Sequence, residues 1–389
     1  MSPVPPRSGL ALRVLHLARQ LACSRPVEIA ALCDDPSPAI EQPLALHHVP
    51  RDWNRGQIRR RGLWEPRFVA RVHSSAMSDF VRGGAWTTVQ AHTLQMVQFG
   101  QVADAPLVFD APDAMTRVSG TLSRADSRAG AAAGWRFEQL KTRRLERRMV
   151  RAVTAVTVPT DDEAALFERW GASTVVVVPN GVDVHAITHR PPAGGAQIVL
   201  VSLLRWRPNV EAALELAHRI LPQVRAHVPH ATLRLVGKDP PAEVLRLRGP
   251  AVEVTGVVDD VLPHLHSARV TVLALRAGGG TRLKALEALA AGVPVVATPF
   301  AVTGLGLRDG EHFLLGRSPS DLAEQAIRVL RDDALARRLS LAGRRLVEER
   351  YDWSRVAQPL LALHDELAGG AAVSKPRHET RVQARHGGE

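Results

Sequence analysis

Two cations stand at the start of a predicted helix within residues 278–299, GGGTRLKALEALAAGVPVVATP. The positive end of a helix dipole disfavours cations by about 0.3–1 kcal/mol each, so Arg282 and Lys284 cost stability unless an anion lies between them. If Thr281 caps the helix, its hydroxyl, the free N–H groups of the first turn and the backbone of Gly279 and Gly280 form a phosphate or diphosphate site. The sequence therefore predicts an anion site at this helix start.

One carboxylate stands on the helix face that should be buried. Leu283, Leu286, Glu287 and Ala290 share this face at helical spacing. A buried carboxylate needs partners. Two kinds of partner stay open, namely hydroxyl groups of a sugar or ribose, and Lys284 one turn earlier.

The composition narrows the class of protein. The only cysteines, Cys23 and Cys33, support neither a disulfide framework nor a cysteine metal site, and we expect no metal and no cofactor. The formal net charge of +11 comes almost wholly from arginine and suits polyanions. Nucleic acid is the least favoured of them, because no zinc-finger, basic-zipper or RNA-binding aromatic pattern occurs. Without a signal peptide or a long apolar run, the sequence predicts a cytoplasmic protein.

The basic residues concentrate in two stretches, 51–73 and 136–152. In the second stretch Phe137, Leu140, Leu145 and Met149 recur at near-helical spacing among seven cations. This pattern is typical of a helix that lies on an anionic membrane, and a plain amphipathic surface helix explains it equally well.

Short β-branched runs alternate with helical patterns along the chain. Uninterrupted apolar strands such as QIVLVSL (197–203) and RVTVLAL (269–275) indicate parallel sheets covered on both faces. Ligands bind at the carboxyl ends of the strands in such sheets, and the glycine run at 278–280 follows one of those ends. The predicted fold class is α/β, with two Rossmann-like doubly wound domains facing each other across a cleft.

The predicted domains are residues 1–184 and 185–351, followed by a helix at 352–368 that returns to the N-terminal domain and a disordered tail at 369–389. A doubly wound domain normally opens with a central strand before its first helix. This sequence opens with MSPVPPRSGLALRVLH, already in a loop and a helix. Either the sheet lacks that strand or the true start lies upstream, and we favour the second.

The region 278–299 resembles the donor-binding region of family 4 glycosyltransferases, which are retaining enzymes of the GT-B fold. The likeness includes VEVTGVVDDVLPHLHSARVTVLALRAG (252–278) before it and GLGLRDGEHFLLG (304–316) after it. Four further segments resemble the same family, in particular a branch associated with exopolysaccharide synthesis: SLLRWRPNVEA, VTVPTDDEAALF, VPNGVD and ERYDWS. The resemblance covers roughly residues 3–368.

The resemblance implies a role for each matching residue. Glu287 matches the second glutamate of the family's Glu-x7-Glu motif, which resembles a contact with the ribose of a nucleotide sugar. The other donor contacts follow from matching positions. The diphosphate is assigned to Thr281, Arg282, Lys284 and the glycine loop at Gly9. The edge of the base is assigned to Gly256 and Val257. Asn180, Gly181 and Asp183 match the interdomain hinge, where structural and ligand roles both stay open.

The sequence also departs from the family. Gly279 stands where the first glutamate of the motif would hold the donor sugar. Leu203 and Pro208 stand where the broader family has Arg and Lys, and Arg205 or Arg207 are candidate substitutes.

The acceptor side departs as well. Pro112, with Asp113 beside it, stands where the family has a histidine. His92 is a candidate substitute, and a core or capping histidine is the alternative reading.

The resemblance implies transfer of a hexosyl unit from a nucleotide diphosphate sugar to a hydroxyl of a saccharide or lipid-linked saccharide in cell-surface polysaccharide synthesis. Arg282 and Lys284 would stabilise the leaving diphosphate, whose oxygen assists the acceptor on the same face, so neither a protein base nor a metal is required. A nucleotide-sugar epimerase and a non-catalytic nucleotide-sugar-binding scaffold are the alternatives. With a lipid-linked acceptor, the basic stretches would dock the protein on the inner membrane face.

Overall fold

The computed structural model describes residues 8–33, 44–52, 55–125, 129–277 and 282–370. They form two domains, each with a parallel β-sheet and helices packed against it. The α/β class and the pair of Rossmann-like domains predicted from the sequence are confirmed. Within these residues, no helix combines the length and the apolar character needed to cross a membrane.

The N-terminal domain carries six strands in two separate parallel sheets. The smaller sheet pairs β1 with β2, and the larger has the order β3-β4-β5-β6. The strands are β1 Val27–Leu32, β2 Leu44–Val49, β3 Val89–His92, β4 Leu107–Asp110, β5 Ala155–Val158 and β6 Val175–Val177. The helices are α1 Gly9–Ala22, α2 Arg55–Arg61, α3 Arg67–Ala70, α4 Ser75–Gly83, α5 Val97–Gly100, α6 Met115–Ala125, α7 Ala129–Val150 and α8 Asp161–Arg169.

The two sheets of this domain are separate, and β1 does not pair with β3. A doubly wound sheet places the strand that precedes its first helix between its second and fourth strands. Among the described residues no strand fills that position, and β1 and β3 each form the edge of a sheet. The first strand expected from the sequence stays a prediction.

The C-terminal domain has a six-stranded parallel sheet of order β12-β11-β10-β7-β8-β9. Its strands are β7 Gln197–Val201, β8 Thr232–Val236, β9 Val252–Gly256, β10 Val270–Leu273, β11 Val295–Ala297 and β12 Leu314–Leu315. Its helices are α9 Arg207–Glu215, a π-helical turn Leu216–Ile220, α10 Leu221–His227, α11 Ala242–Leu245, α12 Leu262–His266, α13 Leu283–Ala291, α14 Pro299–Val302, α15 Pro319–Arg331 and α16 Asp333–Arg350.

Helix α13 is the element that positions the predicted anion site. Its sequence LKALEALAA is rich in strong helix formers, and most of its residues are buried. It ends at Gly292, whose φ of +86° is left-handed. A Cβ at Gly292 would lie 2.2 Å from the carbonyl oxygen of Arg190, so only glycine fits this C-cap.

The end of the described chain crosses back to the N-terminal domain. Helices α17 Trp353–Val356 and α18 Gln358–Gly369 follow α16. Leu363 packs with Val108 and Ala155 of the larger N-terminal sheet, and His364 bonds to Thr88 and Gln90. The tail was predicted to begin at 369, but Gly369 is still the last residue of α18, so the start is corrected; from 371 onward the tail lies outside the described residues.

Candidate functional site

Lys284 is a half-buried amine at the start of α13. Its Nζ donates a hydrogen bond to Oδ1 of Asn209 over 3.0 Å, and Asn209 is itself 3% exposed. Burial lowers the pKa of Lys284 to about 8, while the coulombic effect of Glu287 opposes this shift and that of Arg282 adds to it. The unbound protein therefore holds a cation that a nearby anion would stabilise.

Glu287 lies one turn after Lys284 and is half-buried. Burial raises the pKa of Glu287 to about 7, and the coulombic attraction of Lys284 only partly offsets this rise. Between the described residues no hydrogen bond reaches its carboxylate. Both kinds of partner that the sequence allowed remain open. Lys284 is close enough to interact with the carboxylate, and the carboxylate oxygens can still accept hydrogen bonds from hydroxyl groups.

Arg282 extends from the C-terminal domain towards the N-terminal domain. It occupies the N-cap position of α13 without a side-chain cap bond, and Thr281, the predicted cap, lies outside the described residues. Its guanidinium carbon lies 4.4 Å from the centre of the Phe300 ring. Burial lowers the pKa of Arg282, while the charges of Asp113 and Glu163 oppose the shift. Arg282 therefore links the anion site with acidic groups across the cleft.

Two cavities meet at Arg282. The smaller, about 40 Å³, lies between α9 and α13, and Asn209 and Lys284 line it. The larger, about 470 Å³, lies in the cleft and is lined from the N-terminal domain by Asp113, Glu163 and Asn180 among others, and by Arg282 from the C-terminal domain. A volume of this size is typical of a site for a small molecule.

The remaining donor residues predicted for the C-terminal domain lie only in part within the described residues. Gly279 and Gly280 lie outside the described residues, as Thr281 does. Gly256 ends β9 with a φ of +82°, and Val257 beside it is 63% exposed, which leaves an open apolar surface. Arg205 is also exposed and lies 3.6 Å from Asp239.

Arg207, the second substitute considered for the family's missing cations, is directed away from Lys284. Its guanidinium pairs with Glu211 over 2.9 Å and with Glu243 over 3.0 Å. Both partners lie on α9 and α11, outside the two cavities. Arg205 likewise pairs with an acid and lines neither cavity, so the substitute role stays a prediction for both arginines.

Gly9 forms the first residue of α1 in the N-terminal domain. Ser8 caps this helix, because its Oγ accepts a hydrogen bond from the N–H of Ala11. Gly9 is half-buried and lines neither cavity, so its predicted phosphate contact stays a prediction.

His92 belongs to a buried polar network. Its Nδ1 lies 2.8 Å from Oδ2 of Asp110, and neither cavity is lined by His92. Arg13, which is fully buried, donates to both Asp110 oxygens and to Oδ1 of Asn180. Burial alone would raise the pKa of Asp110, but the charges and hydrogen bonds of Arg13 and His92 hold it well below its usual range. This arrangement gives His92 a structural partner.

The sequence reading missed Arg13, although one signal for it was available. Arg13 stands among the apolar residues of LALRVLHLA, where a buried cation demands a partner. The identity of that partner, 97 residues away along the chain, could not be read from the pattern.

The predicted hinge residues connect the two domains. Asn180 is buried and lines the larger cavity. A Cβ at Gly181 would lie 2.7 Å from the Trp353 ring, and the carboxylate of Asp183 accepts hydrogen bonds from the N–H groups of His185 and Ala186. These contacts give Gly181 and Asp183 structural roles, whereas Asn180 also faces the cavity.

The pKa values of the site predict a pH dependence for ligand binding. The affinity for a nucleotide diphosphate sugar should be highest between about pH 7 and 8 and fall by at most about tenfold per pH unit on either side. Above this range Lys284 loses its positive charge, and below it Glu287 becomes protonated and loses acceptor capacity. Isothermal titration calorimetry with one nucleotide sugar from about pH 6 to 9 measures the profile.

Two variants separate the limbs of this profile. Lys284→Arg keeps its charge throughout and should flatten the alkaline limb, and Glu287→Gln should flatten the acid limb. A wild-type affinity that does not change with pH would contradict the assignment.

The fold and the cleft place the protein in a class. Two Rossmann-like domains with a cleft between them, and a helix start with half-buried cations facing that cleft, are the architecture of GT-B glycosyltransferases. Family models confirm it: residues 8–181 match the glycosyl transferase 4-like domain, and residues 196–332 match glycosyl transferases group 1. The chain belongs to this glycosyltransferase family.

Curated relatives carry the same assignment. The chain is 31% identical over 299 residues to the GDP-mannose-dependent alpha-(1-6)-phosphatidylinositol monomannoside mannosyltransferase of Mycobacterium tuberculosis, covering 70% of this chain and 76% of that protein. It is 30% identical to the phosphatidyl-myo-inositol mannosyltransferase of Mycobacterium leprae over 52% of this chain. The match spans 58% of the length of that relative.

Solved structures share the fold at low sequence identity. Sucrose-phosphate synthase from Thermosynechococcus elongatus superposes with a TM-score of 0.73 at 18% identity, over 95% of this chain and 97% of that one. HepE of Anabaena in complex with UDP-glucose gives a TM-score of 0.65 at 15% identity, over 92% and 95%. The GT-B arrangement therefore extends over almost the whole chain.

Proposed function

We propose that this protein transfers a hexosyl unit from a nucleotide diphosphate sugar to a hydroxyl group of a lipid-linked saccharide, with retention at the anomeric carbon. The observation that carries the proposal is the pair of half-buried cations at the start of α13: Arg282 lines the cavity of about 470 Å³, and Lys284 lines the smaller cavity that meets it. Cations fixed in this way stabilise the negative charge that develops on a leaving nucleotide diphosphate.

The donor lies along the edge of the C-terminal domain in this proposal. The diphosphate contacts Lys284 and Arg282. The carboxylate of Glu287 accepts the ribose hydroxyls, and the base rests on Gly256 and the exposed Val257. Fixed cations supply the charge for the leaving group, so the proposed mechanism needs neither a metal nor a cofactor.

The acceptor occupies the larger cavity. Its lining mixes Asp113, Thr116, Glu163 and Arg282, which are groups that can hydrogen-bond to sugar hydroxyls. The mycobacterial relatives are named for transfer to phosphatidylinositol lipids, which supports a lipid-linked acceptor. We place the reaction in cell-surface polysaccharide synthesis, at the inner face of the cytoplasmic membrane.

We propose retention from the resemblance to retaining family 4 enzymes, and the described residues place no histidine in the lining of the larger cavity. Pro112 replaces a histidine of the family on the acceptor side, and His92 is engaged by Asp110 away from the cavity. We infer that an oxygen of the leaving diphosphate takes the acceptor proton on the same face as the departing bond. The new bond then forms on the face from which the diphosphate leaves.

The test is transfer from a panel of UDP-, GDP- and ADP-hexoses to extracted lipid-linked saccharides, with the anomeric configuration of the product read by NMR. We expect one nucleotide class to serve as donor and the product to keep the configuration of the donor. An inverted product would refute retention. Donor binding without turnover on any acceptor fraction would favour the non-catalytic scaffold.

A further inference from the structure

The exposed large apolar side chains of the N-terminal domain lie in or directly beside its two basic stretches. In the described residues they are five, two of them tryptophans: Leu63, Trp64, Trp135, Phe137 and Leu140. Trp64 is 83% exposed, and Leu63 and Leu140 are each about two-thirds exposed. Side chains of this size cost free energy in water, so a cluster of them indicates a surface that contacts something else.

Helix α7 separates its apolar residues between two faces, which differs from the single stripe predicted from its sequence. Leu145 and Met149 are buried against the larger N-terminal sheet. Phe137 and Leu140 point outward because they lie more than 100° around the helix from the centre of the buried face. The outward pair therefore adds nothing to the core.

The structure brings the second basic stretch against the first. Nζ of Lys141 donates to the carbonyl oxygen of Gly62 over 2.9 Å, and the N–H of Arg67 donates to Glu138 over 2.9 Å. Both ends of the loop that carries Leu63 and Trp64 are thus fixed to α7. The outward Phe137 and Leu140 therefore lie beside Leu63 and Trp64, and we call these four residues the apolar ridge (Leu63, Trp64, Phe137, Leu140). Trp135 lies one turn before Gln139, on the opposite face of α7, and is not part of the ridge.

Exposed arginines outnumber acids around the apolar ridge. The exposed arginines of the two stretches are Arg59, Arg60, Arg67, Arg71, Arg136, Arg143, Arg144, Arg148 and Arg151. The two acids of α7 do not balance them, because Glu138 is 15% exposed and pairs with Lys141 and Arg67, and Glu146 is fully buried. An apolar ridge with a basic surround matches the acyl and headgroup layers of an anionic lipid bilayer.

The opposite face of α7 reaches the larger cavity. Gln139 lines that cavity and donates to the carbonyl oxygen of Thr116 over 3.2 Å. One helix therefore connects the apolar ridge to the proposed acceptor site.

We propose that the apolar ridge and its arginines dock the protein on anionic phospholipid, with α7 lying along the membrane surface. The inference rests on the proposed function for its purpose, since docking places a membrane-embedded acceptor beside the cavity. Its physical basis is separate, because the ridge would bind lipid with or without catalysis.

The test is sedimentation of the full chain with vesicles of phosphatidylcholine alone and of phosphatidylcholine with phosphatidylglycerol. We expect binding at least about tenfold stronger to the anionic vesicles, weakened by added salt. The ridge variant Trp64→Gln/Phe137→Gln/Leu140→Gln should lose about tenfold or more of this binding. The charge variant Arg136→Gln/Arg143→Gln/Arg144→Gln should lose the preference for anionic vesicles.

Helix α16 offers a matched control. Leu341 is 60% exposed there and is flanked by the exposed Arg338 and Arg345, as Leu140 is flanked by arginines on α7. The variant Leu341→Gln/Arg338→Gln/Arg345→Gln should bind vesicles like the wild type. Equal binding to neutral and anionic vesicles, no vesicle binding at all, or a ridge variant that binds as the wild type does would each overturn the proposal.

Donor binding separates this proposal from the proposed function. The thermal shift caused by the preferred nucleotide sugar is measured on the same ridge and charge variants. We expect it to stay at the wild-type value, because none of these residues lies near Lys284. Vesicle binding without any thermal shift by a nucleotide sugar would support the docking surface and contradict the proposed transferase. A thermal shift without vesicle binding would support donor binding and contradict the docking surface.

Discussion

Replacing Lys284 by methionine should lower kcat/KM for transfer by about 10²–10³-fold, because the variant loses a fixed cation next to the leaving diphosphate. The same substitution should leave the thermal midpoint of the unliganded protein unchanged or raise it. Burial already lowers the pKa of Lys284 to about 8, so the charged amine costs stability when no anion is bound. Initial rates and thermal unfolding, measured on one preparation, give both quantities.

The opposite directions of these two effects make the prediction specific. A residue that served only the fold would lose stability together with activity. Lys284→Arg is the matched control, since it keeps the charge at a similar length and should retain more activity than Lys284→Met. If the methionine variant transfers at the wild-type rate, Lys284 does not contact the diphosphate.

Replacing Arg13 by methionine should lower the free energy of unfolding by about 3–5 kcal/mol. The substitution removes the partner of Asp110 and leaves a fully buried carboxylate without its countercharge. It also removes hydrogen bonds to the carbonyl oxygens of Val178 and Pro179, at the end of the N-terminal domain next to the hinge. Urea unfolding followed by circular dichroism measures the loss.

Two further variants decide whether the buried charge is the cause. Arg19→Met changes an exposed arginine of the same helix and should leave the unfolding free energy within about 0.5 kcal/mol of the wild type. Arg13→Met/Asp110→Asn removes both charges and should recover part of the loss. A double variant no more stable than Arg13→Met alone would contradict the account.

The pH dependence of this pair has a definite sign. Because the folded protein holds the pKa of Asp110 below its usual value, the stabilisation is fully present above the unfolded pKa and is lost only as the pH falls below it. Protonation of Asp110 should therefore contribute to the acid unfolding of the wild type. In the Arg13→Met variant the stabilisation by this pair should already be absent near neutral pH.

The sequence predicted the parts of the fold that rest on local patterns. Strands β7 and β10 are runs of buried apolar residues, and α13 follows a helical pattern that ends at Gly292. Strand β2 was missed because His47 and His48 interrupt its apolar pattern. Strand β12 was missed because two residues carry too little pattern to be recognised.

Only the part of the site that lies on a single helix could be predicted from the sequence. Lys284 and Glu287 share α13, so their proximity follows from helical spacing. Asn209 lies 75 residues from Lys284, and only the packing of α9 against the sheet brings it to the amine. The outward direction of Phe137 and Leu140 likewise depends on which face of α7 the rest of the domain covers.

The central claim is that the start of α13 binds the diphosphate of a nucleotide sugar. The most direct measurement is a thermal-shift titration of wild type and Lys284→Met with UDP-, GDP- and ADP-hexoses. We predict that one nucleotide class raises the wild-type midpoint by about 5 °C or more at about 100 times Kd and leaves the variant unchanged. A folded wild type that shifts with none of them, or a variant that shifts equally, would contradict the claim.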